Sequence, residues 1–255
     1  MRKLLIVLLS LLAILCTHRS LANDRLTELE EKLNLSIVTD TVITGSWGTL
    51  QYDLPSDTAL LHQYLQLLDQ EYSKYPKGYF NVIGIRQLVL AQNLSIMGQH
   101  RAAIPDPYKG ILFLAIDVSP ESENYLIHVM HHELHHCTEY YYWNNMNYEW
   151  EEWTEANSQG FQYKGGGSFA YDQPDVDWNT FSNPEEGFLN LYSTTAQEED
   201  RSEIVAAIMG DENRKILSEL LENDRILQQK VLLIKILLSE VSKTENNYWN
   251  RVFSW

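Results

Sequence analysis

Cysteine is almost missing from this chain: only Cys16 and Cys137 occur in 255 residues, and two thiols build no disulfide framework. Stability must come from a buried core, and this length suffices for one domain or for a domain with a small subdomain. Basic residues are scarce as well, 19 against 35 acidic ones, for a formal net charge of −16. Such a surface repels phosphate, which makes nucleic acids and anionic membranes poor partners. Beyond the first 22 residues no apolar run approaches the roughly 20 residues that a membrane span needs, and no internal repeat is visible.

The amino terminus differs from the rest. Arg2 and Lys3 precede a run, residues 4–15, that is apolar apart from Ser10, and Ser20-Leu21-Ala22 offers a small-x-small cleavage site. This pattern predicts a secretory signal peptide over residues 1–22, a secreted or periplasmic protein, and a single mature domain over 23–255. Losing Arg2, Lys3 and Arg19 leaves 16 basic residues against 35 acidic, a mature net charge of −19. Cys16 ends the apolar run, where lipid-anchoring cysteines fall, but Leu15 stands before it instead of a small residue, which argues against lipidation.

Along the mature chain the apolar spacing changes period. Leu26, Leu29 and Leu33 predict a helix over 24–34, and Leu60, Leu61, Tyr64, Leu65 and Leu68 predict another over 58–75, capped by Asp57. Strand-like segments follow at 36–40, 49–52, 86–96 and 110–118, the last two separated by a loop with Pro105, Pro107 and Gly110. A helix is expected over 124–142, then a long aromatic and glycine-rich loop over 143–184, then helices at about 197–209, 211–221 and 224–241.

The expected helix over 124–142 carries His131-His132-Glu133-Leu134-His135-His136, which contains His-Glu-x-x-His as His132, Glu133 and His136. Two imidazoles four residues apart share a helix face and can bind one zinc ion, and the adjacent glutamate reaches the water held there. Zinc lowers the pKa of such a water toward about 7, and Glu133 can take its proton and pass it to a leaving amine. His128 lies a further turn along the same line and is read as a packing residue or a partner of the ligands. His131 and His135 are read as surface residues, and Cys137 as a buried small one.

Catalytic zinc takes a third protein ligand, and two glutamates compete for that place. Glu155 follows His136 after 18 residues, a spacing that resembles aminopeptidase-type gluzincins. Glu199 stands seven residues after Tyr192 and opens Glu-x-x-small-Glu with Ser202 and Glu203. With His132, Glu133 and His136, this second motif resembles the catalytic domain of the anthrax-lethal-factor-like metallopeptidases, which include small secreted Pro-Pro endopeptidases. The resemblance covers mainly residues 110–209 and rests on two short motifs. It implies zinc binding by Glu199, buttressing of the site by Glu203 and stabilisation of an oxyanion by the Tyr192 hydroxyl. Ser202 departs from the usual alanine, and the interval between His136 and Glu199 is longer than in compact members. Trp153, Asn157, Gly160, Phe161 and Tyr163 mark a segment shared with exported metallopeptidases of this broad kind, which leaves Glu155 at a variable position.

The resemblance implies a zincin-like α+β domain with a small mixed sheet, an edge strand near 110–118, an active helix and a helical carboxy-terminal half. The expected activity is zinc-dependent hydrolysis of a peptide bond in a protein or peptide substrate. Alternatives are an exported zinc-binding protein without peptidase activity and an aminopeptidase-type enzyme that uses Glu155. Glu198 and Asp200 are read as solvated charges of a helix start.

Overall fold

The computed structural model describes residues 25–117, 123–173, 175–242 and 247–254, and the predicted signal peptide with Cys16 lies outside them. The chain divides into two compact units, one made of Met1–Asn81 with Ile85–Val118, the other of Val82–Gly84 with Ser119–Trp255. The architecture is α+β, as the change of apolar period predicts.

The first unit holds α1 (residues 25–33), β1 (Ser36–Val38), β2 (Leu50–Asp53), α2 (Thr58–Tyr72), α3 (Tyr79–Val82), β3 (Gln87–Ile96), β4 (Gln99–His100), β5 (Ala103–Asp106) and β6 (Ile111–Ala115). Asp57 caps α2, its Oδ1 accepting from the backbone N–H groups of Ala59 and Leu60 at 2.9 and 3.0 Å. Strand β3 is the spine of a mixed sheet. Its first half pairs in parallel with β1 and β6, and its second half pairs antiparallel with β2 and β4. Residues 88–91 are fully buried, the continuous apolar run expected of a strand covered on both faces.

The edge strand is not the segment near 110–118. There β6 lies inside the sheet, between β3 and β5, and β5 forms the edge. Pro105 sits in β5, and proline, which cannot donate to a ladder, is tolerated at an edge. The same proline made 103–106 read as loop from sequence. Gly110, at φ 68°, turns the chain between the two strands. Val89, Leu94, Ile104, Ile111 and Phe113 form the core beneath, and buried Asp106 accepts from Ser46 N–H and Oγ at 2.6 and 2.8 Å.

Among its described residues the second unit holds helices and irregular segments but no strand: α4 (Glu123–Trp143), α5 (Glu151–Ala156), α6 (Ser168–Tyr171), a 3₁₀ turn (Tyr192–Thr194), α7 (Gln197–Met209), α8 (Asp211–Leu221), α9 (Arg225–Ser242) and α10 (Asn247–Val252). Helix α4 contains neither glycine nor proline and stops at Asn144, whose φ of 52° is the left-handed conformation that ends helices. Helix α7 packs on α4, α8 and α9, and every residue from 200 to 209 is buried. The long loop expected over 143–184 contains the short helices α5 and α6. No helix among the described residues is long and apolar enough to cross a membrane.

Candidate metal centre

His132 and His136 stand four residues apart on α4, and their Nε2 atoms lie 3.1 Å from each other. Glu199, in the first turn of α7, brings Oε2 to 3.0 Å from His132 Nε2 and 3.4 Å from His136 Nε2. The far nitrogens of both rings are engaged. His132 Nδ1 lies 2.8 Å from Glu203 Oε1, and His136 Nδ1 lies 3.3 Å from Ser202 Oγ. In the neutral tautomer that carries its proton on Nδ1, each Nε2 has a lone pair, and two lone pairs and a carboxylate oxygen then converge on one point. That arrangement is repulsive without a cation. A tetrahedral ion with bonds of about 2.0–2.1 Å sets its ligand atoms about 3.3–3.4 Å apart, so the observed triangle fits one with small adjustments.

Glu203 organises the outer side of the centre. It accepts from His128 Nε2 at 2.9 Å and from Asn190 Nδ2 at 2.5 Å, besides lying against His132 Nδ1. His128 Nδ1 meets Asn213 Nδ2 at 3.1 Å. His128, His132 and Glu203 thus also converge, their polar atoms within 4.8 Å of one another, but as a hydrogen-bonded set around one carboxylate. Burial alone would lower His132 and His136, yet hydrogen bonds to Glu199, and for His132 also to Glu203, raise both above the ordinary histidine range. Burial would likewise raise Glu199 and Glu203, and the histidines facing them hold both far below the usual carboxylate range.

Glu133 is half-buried and lines a cleft of about 150 Å³ together with His132, Tyr171 and Tyr192. Burial and the nearby Glu199 charge push the Tyr192 hydroxyl far above its ordinary value, so it stays a proton donor, bonded to Tyr171. A glycine-rich turn closes one side. Lys164 and Gly166 donate backbone N–H groups to Thr194 and Thr195 carbonyls at 3.2 and 2.9 Å. A Cβ built on Gly167 would come 2.5 Å from Glu199 Oε1 and 2.6 Å from the Tyr192 hydroxyl oxygen.

Two buried ionic clusters surround the centre, and sequence reading missed both. Glu139, one turn beyond His136, takes a bidentate contact from Arg201 of α7, with Nη2 to Oε2 at 2.9 Å, and lies 3.2 Å from His135 Nε2. His131 and His135, expected at the surface, are therefore interior residues, 0% and 1% exposed. Burial lowers His135, and the Glu139 carboxylate only partly opposes it. Asp200, expected to be solvated, is fully buried and accepts from Trp153 Nε1, Tyr163 Oη and Lys230 Nζ at 2.9, 2.8 and 2.7 Å. Burial pushes the Asp200 carboxyl up and the Lys230 ammonium down, against their mutual attraction. The aromatic segment that carries Trp153 and Tyr163 was the available signal, since buried indole and phenol groups need an acceptor. Cys137 is buried and forms no disulfide, as expected.

Of the two competing glutamates, the structure brings Glu199 to the histidines and leaves Glu155 exposed on α5. No protein-family model matches the chain, and no curated protein is significantly similar to it. Among solved structures, a candidate zinc-binding metallo-peptidase from Bacteroides caccae superposes with a TM-score of 0.59 at 16% identity, over 92% of this chain and 91% of that one. The likeness is one of fold, and it agrees with the zincin-like α+β class expected from the sequence.

Proposed function

We propose that this chain is an exported zinc metallopeptidase that cleaves peptide bonds within a protein or peptide, with zinc held by His132, His136 and Glu199. The observation that carries the reading is the convergence of two imidazole lone pairs and one carboxylate oxygen beside Glu133 in an open cleft. The fold likeness to a candidate zinc-binding metallo-peptidase supports it. Bound there, zinc supplies Lewis-acid polarisation of the scissile carbonyl and makes a water acidic enough to attack at neutral pH.

The chain's own residues do the remainder. Glu133 takes a proton from the attacking water and returns it to the leaving amine. The Tyr192 hydroxyl, protonated at every working pH, donates to the oxyanion that forms. Glu203 and Ser202 hold the two imidazoles in the tautomer that frees Nε2. The pairing of the His132–His136 motif with Tyr192, Glu199 and Glu203 supports placement near the lethal-factor-like branch. A zinc-binding protein without peptidase activity is the competing reading, and it gives Glu133 no task.

Bound zinc per chain, measured on wild type, Glu199→Ala, Glu155→Ala and Glu133→Gln, tests the assignment. Glu199→Ala should lose the metal while Glu155→Ala and Glu133→Gln keep it. Glu133→Gln should lower kcat for cleavage of an unstructured protein by about 100- to 10,000-fold, the range expected for loss of a proton-transfer group. Loss of zinc in Glu155→Ala would overturn the ligand set, and a zinc-loaded wild type that cleaves nothing would favour the binding-protein reading.

A further inference from the structure

The cleft beside Glu133 does not end at the metal ligands. Tyr125, His128 or Val129, and His132 recur at steps of three and four along α4, so they form one line running from the centre toward the amino-terminal end of the helix. A second cavity, of about 270 Å³, lies on that line and shares Tyr125, His128 and Asn179 with the first. The two make one groove. Phe181 and Ile216 line its far part, and Trp178 lines the part next to the centre.

Several polar groups along this groove already have partners. Both His128 ring nitrogens are taken, by Glu203 and by Asn213. Asp177 accepts from the Asn179 and Thr180 N–H groups at 3.0 and 3.1 Å. The Trp178 carbonyl accepts from Tyr192 N–H at 3.1 Å, which pins the roof of the groove to the segment carrying the site tyrosine. What faces the space is ring and aliphatic surface: Phe181 packs edge-on to the His128 ring at 5.8 Å, and Ile216 is 41% exposed. Neither cavity has a lysine or arginine in its lining, whereas Glu133, Glu203 and Asp177 contribute carboxylates. Lys164 lies outside the lining, over the Trp178 ring at 5.4 Å.

We propose that this groove selects the substrate: it binds a peptide that places a large apolar side chain, preferably aromatic, against Tyr125, His128, Trp178, Phe181 and Ile216, and it rejects an acidic one. The proposal rests on the peptidase reading, because it takes the occupant to be the peptide held at the metal centre. Two physical terms act in the same direction. Ring surfaces gain by covering an apolar side chain, whereas a carboxylate would enter a groove lined by no lysine or arginine and by the like charges of Glu133, Glu203 and Asp177.

Binding, measured by calorimetry on zinc-loaded Glu133→Gln, separates this from turnover. The probes are unstructured peptides identical except for one residue, Phe, Leu, Gly, Lys or Asp. The Phe peptide should bind about tenfold or more tightly than the Gly peptide, and the Asp peptide should bind least. Ile216→Asp, a change at a part-exposed position, should keep its zinc and its melting temperature, weaken the Phe peptide and favour the Lys peptide. Equal affinities across the set, tightest binding of the Asp peptide, or an Ile216→Asp variant with the wild-type order would each overturn the groove assignment. The peptidase reading would stand or fall separately, on zinc content and on cleavage by wild type.

Discussion

A side chain at position 167 has nowhere to go. The backbone there, at φ −57° and ψ −26°, suits any residue, so the constraint is space: the first added carbon meets Glu199 Oε1 and the Tyr192 hydroxyl at 2.5 and 2.6 Å. Glu199 therefore has one oxygen toward the histidines and the other against bare backbone, which fixes the orientation of the carboxylate. Gly167→Ala is expected to displace it and to weaken zinc binding by about 10–100-fold, the range seen when groups that orient metal ligands are lost. A chelator-competition titration reads this. Gly48→Ala, whose Cβ meets nothing within 4 Å, is the matched control and should bind as wild type does. Shortening the displaced group in Gly167→Ala/Glu199→Asp should recover part of the loss. Unchanged affinity in the single variant would show that the turn does not bear on the ligand.

At the scale of elements, α4 and α7 are held together by more than apolar contact. Met130, Leu134 and Cys137 on one helix and Ile204, Ala207 and Ile208 on the other are all buried, and the Glu139–Arg201 pair joins the two helices close to the ligands. Burial by itself would raise the Glu139 carboxyl, but the Arg201 charge and the hydrogen bonds from His135 and Arg201 hold it down at about 2, from an ordinary 4.5. A carboxyl depressed on folding stabilises fully above its unfolded value, and that contribution fades as pH falls from about 4.5 toward about 2. Glu139→Gln leaves a buried guanidinium uncompensated, so it should cost about 3–5 kcal/mol at neutral pH. Denaturant melts at descending pH should show the gap from wild type closing toward about pH 3. A gap that does not change with pH would assign the loss to packing.

The same helices show what was legible in the sequence. Spacing of three and four located α2, α8 and α9, where the buried residues repeat with the helical period; α4 and α7 also lie where expected, although 200–209 are all buried and 130–139 are buried except Glu133. Spacing of four put His132 and His136 on one face, and the seven-residue offset from Tyr192 drew attention to Glu199. Three readings went astray for a shared reason. Asp200 is buried with partners distant in sequence, Lys230 among them, and His131 and His135 are buried beside α7, and local pattern carries no trace of packing between elements so far apart in sequence. The edge of the sheet was misplaced because a proline-containing strand looks like a turn until its neighbour is known.

For the whole molecule, the consequence concerns where binding energy enters the fold. All three proposed ligands, and the groups that orient them, belong to the second unit, which has no strand and no disulfide among its described residues. Metal held by the proposed ligands on α4 and α7 would act as a cross-link between helices distant in sequence. A ligand that binds only the folded state stabilises it by RT ln(1 + [L]/Kd), about 4 kcal/mol at a thousandfold excess over Kd. Chelation should accordingly lower the thermal midpoint and leave protons, in place of the ion, between His132, His136 and the Glu199 carboxylate. Hydrogen exchange should locate the loss, with amides of α4 near His132–His136 and of the first turns of α7 losing protection on chelation and regaining it when zinc is restored. Glu133→Gln, which keeps the ligands, should respond as wild type does, while Glu199→Ala should already exchange like the chelated protein. If chelation strips the ion and neither the midpoint nor the exchange of these two helices changes, the metal is not part of what holds them together, and the fold alone must keep the three ligand atoms converged.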